Sequence, residues 1–112
     1  MDRSLWTINN KHFTLILDAE IKNGKIIDKK FSPGEDLWTN EIPKLKFNES
    51  SVQKEYEQFI SDLLLFLSEP TVNQVLIEAK IGEESEYNPM SIHEPIIIRK
   101  IENYTVEKII KT

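Results

Sequence analysis

Asn23-Gly24 stands between two runs of strand-like sequence and constrains the fold more than any other feature of the chain. Before it, Phe13, Leu15, Leu17, Ala19 and Ile21 alternate with Thr14, Asp18, Glu20 and Lys22; Ile16 is the exception. After it runs the segment from Lys25 to Phe31. A period of two sends successive side chains to opposite faces of a strand. Asn-Gly accepts the positive φ that a type I′ turn requires at both central positions. The two runs therefore read as an antiparallel hairpin. A two-residue loop sets Asp18 opposite Lys29 and Ile16 opposite Phe31. A bulged three-residue loop shifts that register, and both remain open on sequence alone.

The rest of the chain adds one clear helix and several strands. A short strand is expected around Leu5 to Ile8, ended by Asn9-Asn10. Ser32-Pro33-Gly34 ends the hairpin. Residues 35–48 contain Pro43 and no clean period, so they read as a connection anchored by Leu37, Trp38, Ile42, Leu45 and Phe47. From about Ser51 to Ser68 the spacing predicts a helix. Ser50 suits its N-cap, Gln53 completes a capping-box pattern, and Pro70 stops it. Val52, Tyr56, Phe59, Ile60, Leu63, Phe66 and Leu67 fall within roughly 120° of arc on such a helix. Leu65 projects to the far side, near Lys54, Gln58 and Ser61. Val75, Ile77, Ala79 and Ile81 alternate with Gln74, Glu78 and Lys80 and predict a strand. Ile96 to Ile101 predicts another, and Tyr104 to Ile110 a last strand or a short helix. The expected architecture is one α+β domain over residues 1–112. It has a mainly antiparallel sheet, one amphipathic helix (about 51–68) on one face, and the other face free.

Composition supports this class. Hydrophobic residues make up 39% of the 112, enough for the core of a single domain. Isoleucine is abundant and alanine occurs only at 19 and 79, which favours strands over a helical bundle. The chain has no cysteine, which excludes disulfides, thiolate catalysis and Cys-containing zinc sites. No apolar stretch follows a basic start, so no signal peptide is read at the N-terminus, and the cytoplasm is the expected location. The longest apolar run, Leu63 to Leu67, falls far short of the ~20 residues of a membrane helix, so no membrane partner is expected.

Between the last predicted strands lies an acidic loop from Gly82 to Glu94. It carries Glu83, Glu84, Glu86, Glu94 and His93, with no Lys or Arg. His93-Glu94 together with the other glutamates could attract a divalent metal. The spacing, however, matches neither HExxH nor an EF-hand, so a solvated loop with no metal is expected. His12 is read as a strand-edge residue. Adjacent carboxylates such as Glu83-Glu84 point different ways and are not preset for acid–base work. Asp18 and Glu20 share a strand face with Thr14 and Lys22, a face that could hold a site or simply meet solvent. There is no GxSxG elbow, and three glycines cannot build a familiar phosphate loop. The chain is therefore expected to be no enzyme and to need no cofactor. Lys22, Lys25, Lys29 and Lys30 surround the hairpin tip. They read as protection of an edge strand rather than as a phosphate-binding patch. With a net charge of −5, nucleic acid is not the expected partner.

Charge is segregated along the chain. Residues 49–69 and 71–95 are each net −4, while residues 22–30 are net +3. Two acidic segments in one half could form a negative face that steers a basic protein partner. By analogy of charge and size, the expected function is a small acidic, non-enzymatic protein-binding module. It would block a basic partner as bacterial toxin-immunity proteins and phage-encoded inhibitors do. The expected contact residues are Glu83, Glu84, Glu86, His93, Glu94, Trp38 and Leu65. The alternatives are an oligomerisation domain dimerising through an exposed sheet face and a metal-dependent enzyme using the acidic loop.

Overall fold

The computed structural model describes residues 2–34, 37–88 and 94–105. Five strands and two helices follow in the order β1 (Asp2–Asn9), β2 (Thr14–Lys22), β3 (Lys25–Ser32), α1 (Ser50–Leu67), α2 (Val72–Glu78), β4 (Glu84–Tyr87) and β5 (Ile96–Thr105). The strands form one antiparallel sheet in the order β3-β2-β1-β5-β4. This is the expected α+β class: a single antiparallel sheet with α1 packed on one face.

The hairpin turn has the two-residue form, with Asn23 at φ 53° and Gly24 at φ 72°. Lys22 pairs with Lys25 and Ile21 with Ile26. The register then shifts, so that Asp18 meets Lys30 and Leu17 meets Phe31. Neither simple register holds throughout, because Ile27 is extruded as a bulge. The packing explains the shift. Leu17 and Phe31 are both buried on the helix-bearing face. An unshifted pairing would place Phe31 beside Ile16 on the opposite face.

The core lies between that face and the helices. Trp6 and Ile8 of β1, Leu15, Leu17 and Ala19 of β2, and Ile96 and Ile98 of β5 meet Tyr56, Phe59, Leu63 and Phe66 of α1. Phe13, Phe47, Tyr56 and Phe59 cluster at one end, with the Phe13 and Tyr56 ring centroids 5.2 Å apart. α1 begins at Ser50 with Glu49 as its N-cap, and no side-chain capping bond forms. Gln53 is used differently from the capping-box expectation. Its Oε1 accepts from the Phe47 backbone N–H at 2.7 Å, and its Nε2 donates to the Leu45 carbonyl at 3.3 Å. The chain before the helix is thereby fastened to the helix's first turn.

Three expectations are corrected downstream. Residues 75–81 do not form a strand; Val72–Glu78 is helical, with the Val75 and Ala79 amides bonded four residues back to Thr71 and Val75. The alternation at 75, 77, 79 and 81 lost to the i, i+4 pair Val72 and Leu76, which both enter the core while Val75 and Ile81 stay exposed. The acidic stretch is not loop throughout. Glu84–Tyr87 pairs with Ile96–Arg99 as the edge strand β4, and Tyr87 packs its ring against Phe66 at 5.0 Å. Finally, Glu102-Asn103 does not divide two strands. β5 runs unbroken from Ile96 to Thr105, with Ile101 extruded where its pairing to β1 slips between Leu5 and Trp6. Residues 106–110 of the expected last segment lie outside the described residues, as does His93.

Lys100 of β5 points into the helix-bearing face and is buried. Its Nζ donates to the Ile77 carbonyl in the last turn of α2 at 3.0 Å and lies 5.5 Å from the centre of the Trp6 ring. Burial pushes its pKa below the ordinary 10.5, with Glu83 partly offsetting the effect. Between the depressed native value and 10.5 the unfolded chain holds more protons than the native one. Stability contributed at this site therefore rises with pH in that window and levels off above it. Urea unfolding from pH 7 to about 10.5 should show parent stability rising relative to Lys100→Met. A constant difference would mean that Lys100 is solvated in the native state.

Candidate functional site

On the helix-free face, the β1–β2 and β1–β5 registers place Arg3 opposite Glu20 on one side and Tyr104 on the other. Arg3 Nε donates to Asp18 Oδ1 at 2.9 Å, and Nη2 donates to Asp28 Oδ2 at 3.2 Å. Nη1 lies 3.9 Å from Glu20 Oε1. The Tyr104 hydroxyl donates to the other oxygen of Asp18. The side chains of Arg3, Asp18 and Glu20 are only 9%, 13% and 15% exposed. Burial works against the Arg3 charge, but hydrogen bonds with Asp18 and Asp28 outweigh it and hold the pKa above its ordinary value. Burial and the bond to Asp18 also push Tyr104 up, so its phenol stays protonated at neutral pH. The carboxylates that the sequence offers as a possible site are thus committed to an internal cation. Sequence reasoning missed Arg3 and Tyr104 because their meeting depends on β5 inserting beside β1.

The residues expected to contact a partner fall on separate surfaces. Trp38 is 37% exposed beside the β3 edge, where Thr39 and Phe31 exchange backbone hydrogen bonds at 2.7 and 2.9 Å. Glu84 and Glu86 lie on β4 at the other edge, four strand spacings away, or about 19 Å. Glu83 accepts from the Lys80 backbone N–H at 3.0 Å. Glu94 lines a cleft of 170 Å³ with His12 and with Glu55, Gln58 and Asp62 of α1. There Gln58 donates to Asp62 at 2.9 Å, and His12 Nε2 stands 4.0 Å from Glu55. Leu65 is 54% exposed on the outer side of α1, and its neighbour Leu64 is 55% exposed. The structure therefore brings Glu94 to the acidic side of α1 and leaves Glu84, Glu86 and Trp38 elsewhere. Among the described residues no group of three His, Asp or Glu is placed to hold a metal ion. Among the same residues, no helix is long and apolar enough to cross a membrane.

A groove of 690 Å³ lies between α1 and the connection that precedes it. Ile42, Pro43 and Leu45 form one wall, Tyr56, Ile60, Leu64 and Leu67 the other, and Phe31 and Lys29 come from β3. The connection is tied to α1 by the Gln53 bonds and by the Tyr56 hydroxyl, which donates to the Pro43 carbonyl. Burial pushes the Tyr56 pKa up and the Lys29 pKa down. Ile60 and Leu67 belong to the apolar stripe of the sequence, but both are only half-buried and line this groove. The stripe is wider than the surface α1 presses on the sheet, and that excess width was the available sign of a groove. No family model, curated protein or solved structure matches the chain.

Proposed function

We propose that the chain is a small, non-enzymatic protein-binding module. The observation carrying this reading is the outer side of α1, where adjacent Leu64 and Leu65 are each more than half exposed. A single exposed leucine is ordinary. Two together, beside a groove whose apolar lining is also open, extend an apolar patch of the kind that contacts partners. Glu55 and Glu57 are exposed on the same helix, and Glu94 reaches its acidic side. An apolar centre with an acidic rim suits a partner whose contact surface is basic, because rim charge mainly governs encounter and specificity. The net charge of −5 supports the finer reading, an inhibitor that covers a basic surface with carboxylates. The non-enzymatic reading rests on the scarcity of catalytic groups in the sequence and on the commitment of Asp18 and Glu20 to Arg3. The homodimer alternative has less support, since pairing the helix-free faces would bury the Arg3 network against a second copy of itself.

Affinity capture from the source cell, with parent and Leu65→Ser chains side by side, tests the reading. Leu65 is exposed, so its replacement should leave the melting temperature within a few degrees. Proteins retained by the parent and lost by Leu65→Ser are the expected result. Association of such a partner should slow severalfold in Glu55→Lys/Glu57→Lys, with a weaker response to salt. Identical captures by parent and Leu65→Ser, together with an inert monomer by light scattering, would count against the proposal.

A further inference from the structure

We propose that the groove beside α1 is a binding site for a single-chain aliphatic carboxylate. The chain would lie between Ile42 and Leu45 on one wall and Ile60 and Leu67 on the other, and its acid group would pair with Lys29. This inference shares Leu64 and the groove's apolar lining with the protein-binding reading but needs neither Leu65, which does not line the groove, nor the acidic rim. Three observations converge on it. The groove encloses 690 Å³, within the ~300–1,000 Å³ typical of small-molecule sites, and its lining is mainly apolar. Its outer wall is held by hydrogen bonds from Gln53 and Tyr56 rather than standing loose. Lys29 is half-buried at the groove and has no hydrogen-bond or ion-pair partner among the described residues.

Lys29 decides the head group. On β3 it pairs with Ala19, so its side chain leaves the sheet on the helix-bearing side, toward α1. A hydrated amine partly withdrawn from water loses solvation, which is why burial alone lowers its pKa. A carboxylate at that point restores the lost interaction and forms a charge-assisted hydrogen bond. The other charged lining residues, Lys44 and Lys46 against Glu41 and Glu57, are exposed and nearly balanced, so they discriminate little. An alkylammonium would set its charge against Lys29. An uncharged alcohol would fill the groove but leave Lys29 unpaired.

Titration of the parent protein with octanoate, decanoate and dodecanoate, each below its micelle concentration, tests the site by calorimetry and by amide chemical shifts. Affinity should rise about two- to fourfold per added methylene, the range set by partial to full burial of each group. The shifts should concentrate at residues 42–45 and 57–67. Lys29→Met should weaken dodecanoate about tenfold or more while leaving dodecanol within twofold. Ile60→Ser, which keeps Lys29, should weaken both. Circular dichroism checks that each variant is folded, and Lys29→Gln replaces Lys29→Met should the latter fail to fold. Equal binding of dodecanoate and dodecanol by the parent would overturn the proposal. So would undiminished dodecanoate binding by Lys29→Met, shifts confined to another surface, or no binding at millimolar dodecanoate.

Discussion

Trp6→Ala should destabilise the protein by about 3–5 kcal/mol, the largest effect expected of any single core truncation. Trp6 is fully buried at the middle of β1, the central strand of the sheet. β2 and β5 flank it, with Leu17 and Lys100 as its cross-strand partners. The truncation would leave a cavity that strands bonded on both sides cannot easily close. It would also remove the ring beside the Lys100 ammonium, leaving that buried cation with less compensation. Set against a total stability of roughly 5–15 kcal/mol for a domain of this kind, such a loss brings the chain close to unfolding at 37 °C. Trp6→Phe separates volume from polarity. The indole Nε1 is buried and has no hydrogen-bond partner among the described residues, so phenylalanine forfeits no bond there. Its cost should stay below about 2 kcal/mol, as for other swaps that keep most of the buried volume. Urea unfolding followed by circular dichroism measures both. A Trp6→Ala cost under about 1 kcal/mol would mean that the β1 core position is not packed as described.

What could be read from the sequence follows from how local each signal is. The Asn23-Gly24 turn and the α1 stripe need only a few neighbouring residues, and both appear in the structure. The bulges at Ile27 and Ile101 do not show in local pattern. Each serves a partner far along the chain, Phe31 reaching Leu17 in one case and Ser4 bonding Asn103 in the other. The alternation after Pro70 misled because a short segment with apolar residues at 72, 75, 76, 77, 79 and 81 satisfies both periods. Tertiary placement then decided: β5 takes β4 as its outer neighbour, and Val72 and Leu76 cover the core as one helical turn. The acidic stretch hid a strand because charged residues suit an exposed edge, where they deter further pairing. Of the contact residues expected from sequence, Leu65 is as exposed as its helical position implied. The negative face was less legible, since assembling it requires knowing that Glu94 ends beside Glu55 while Glu84 and Glu86 do not.

Arg3→Met should cost about 3 kcal/mol, a loss that comes mainly from the carboxylates left behind rather than from the attraction removed. Asp18 and Glu20 are mostly withdrawn from water and sit two residues apart on one strand face. With Arg3 in place, Asp18 receives a hydrogen bond on each oxygen, from Arg3 and from Tyr104. Without it, two like charges share a poorly solvated face, and Asp18 keeps the Tyr104 hydroxyl as its partner. The more exposed Asp28 should matter less, because water can replace its lost partner. A double-mutant cycle makes the argument quantitative. If stranded charge is the cause, Asp18→Leu in the Arg3→Met background should recover a large part of the loss, whereas Asp18→Leu in the parent leaves Arg3 with Asp28 and Glu20 and should destabilise by less than Arg3→Met. Additive losses in the double variant, measured by urea unfolding at neutral pH, would show that the two side chains act separately and that the network is ordinary surface pairing. A strong positive coupling would show instead that the helix-free face is held by one internal ion pair. A second copy of the chain or a basic partner would there meet carboxylates already engaged by Arg3, which is why recognition is proposed for α1 instead.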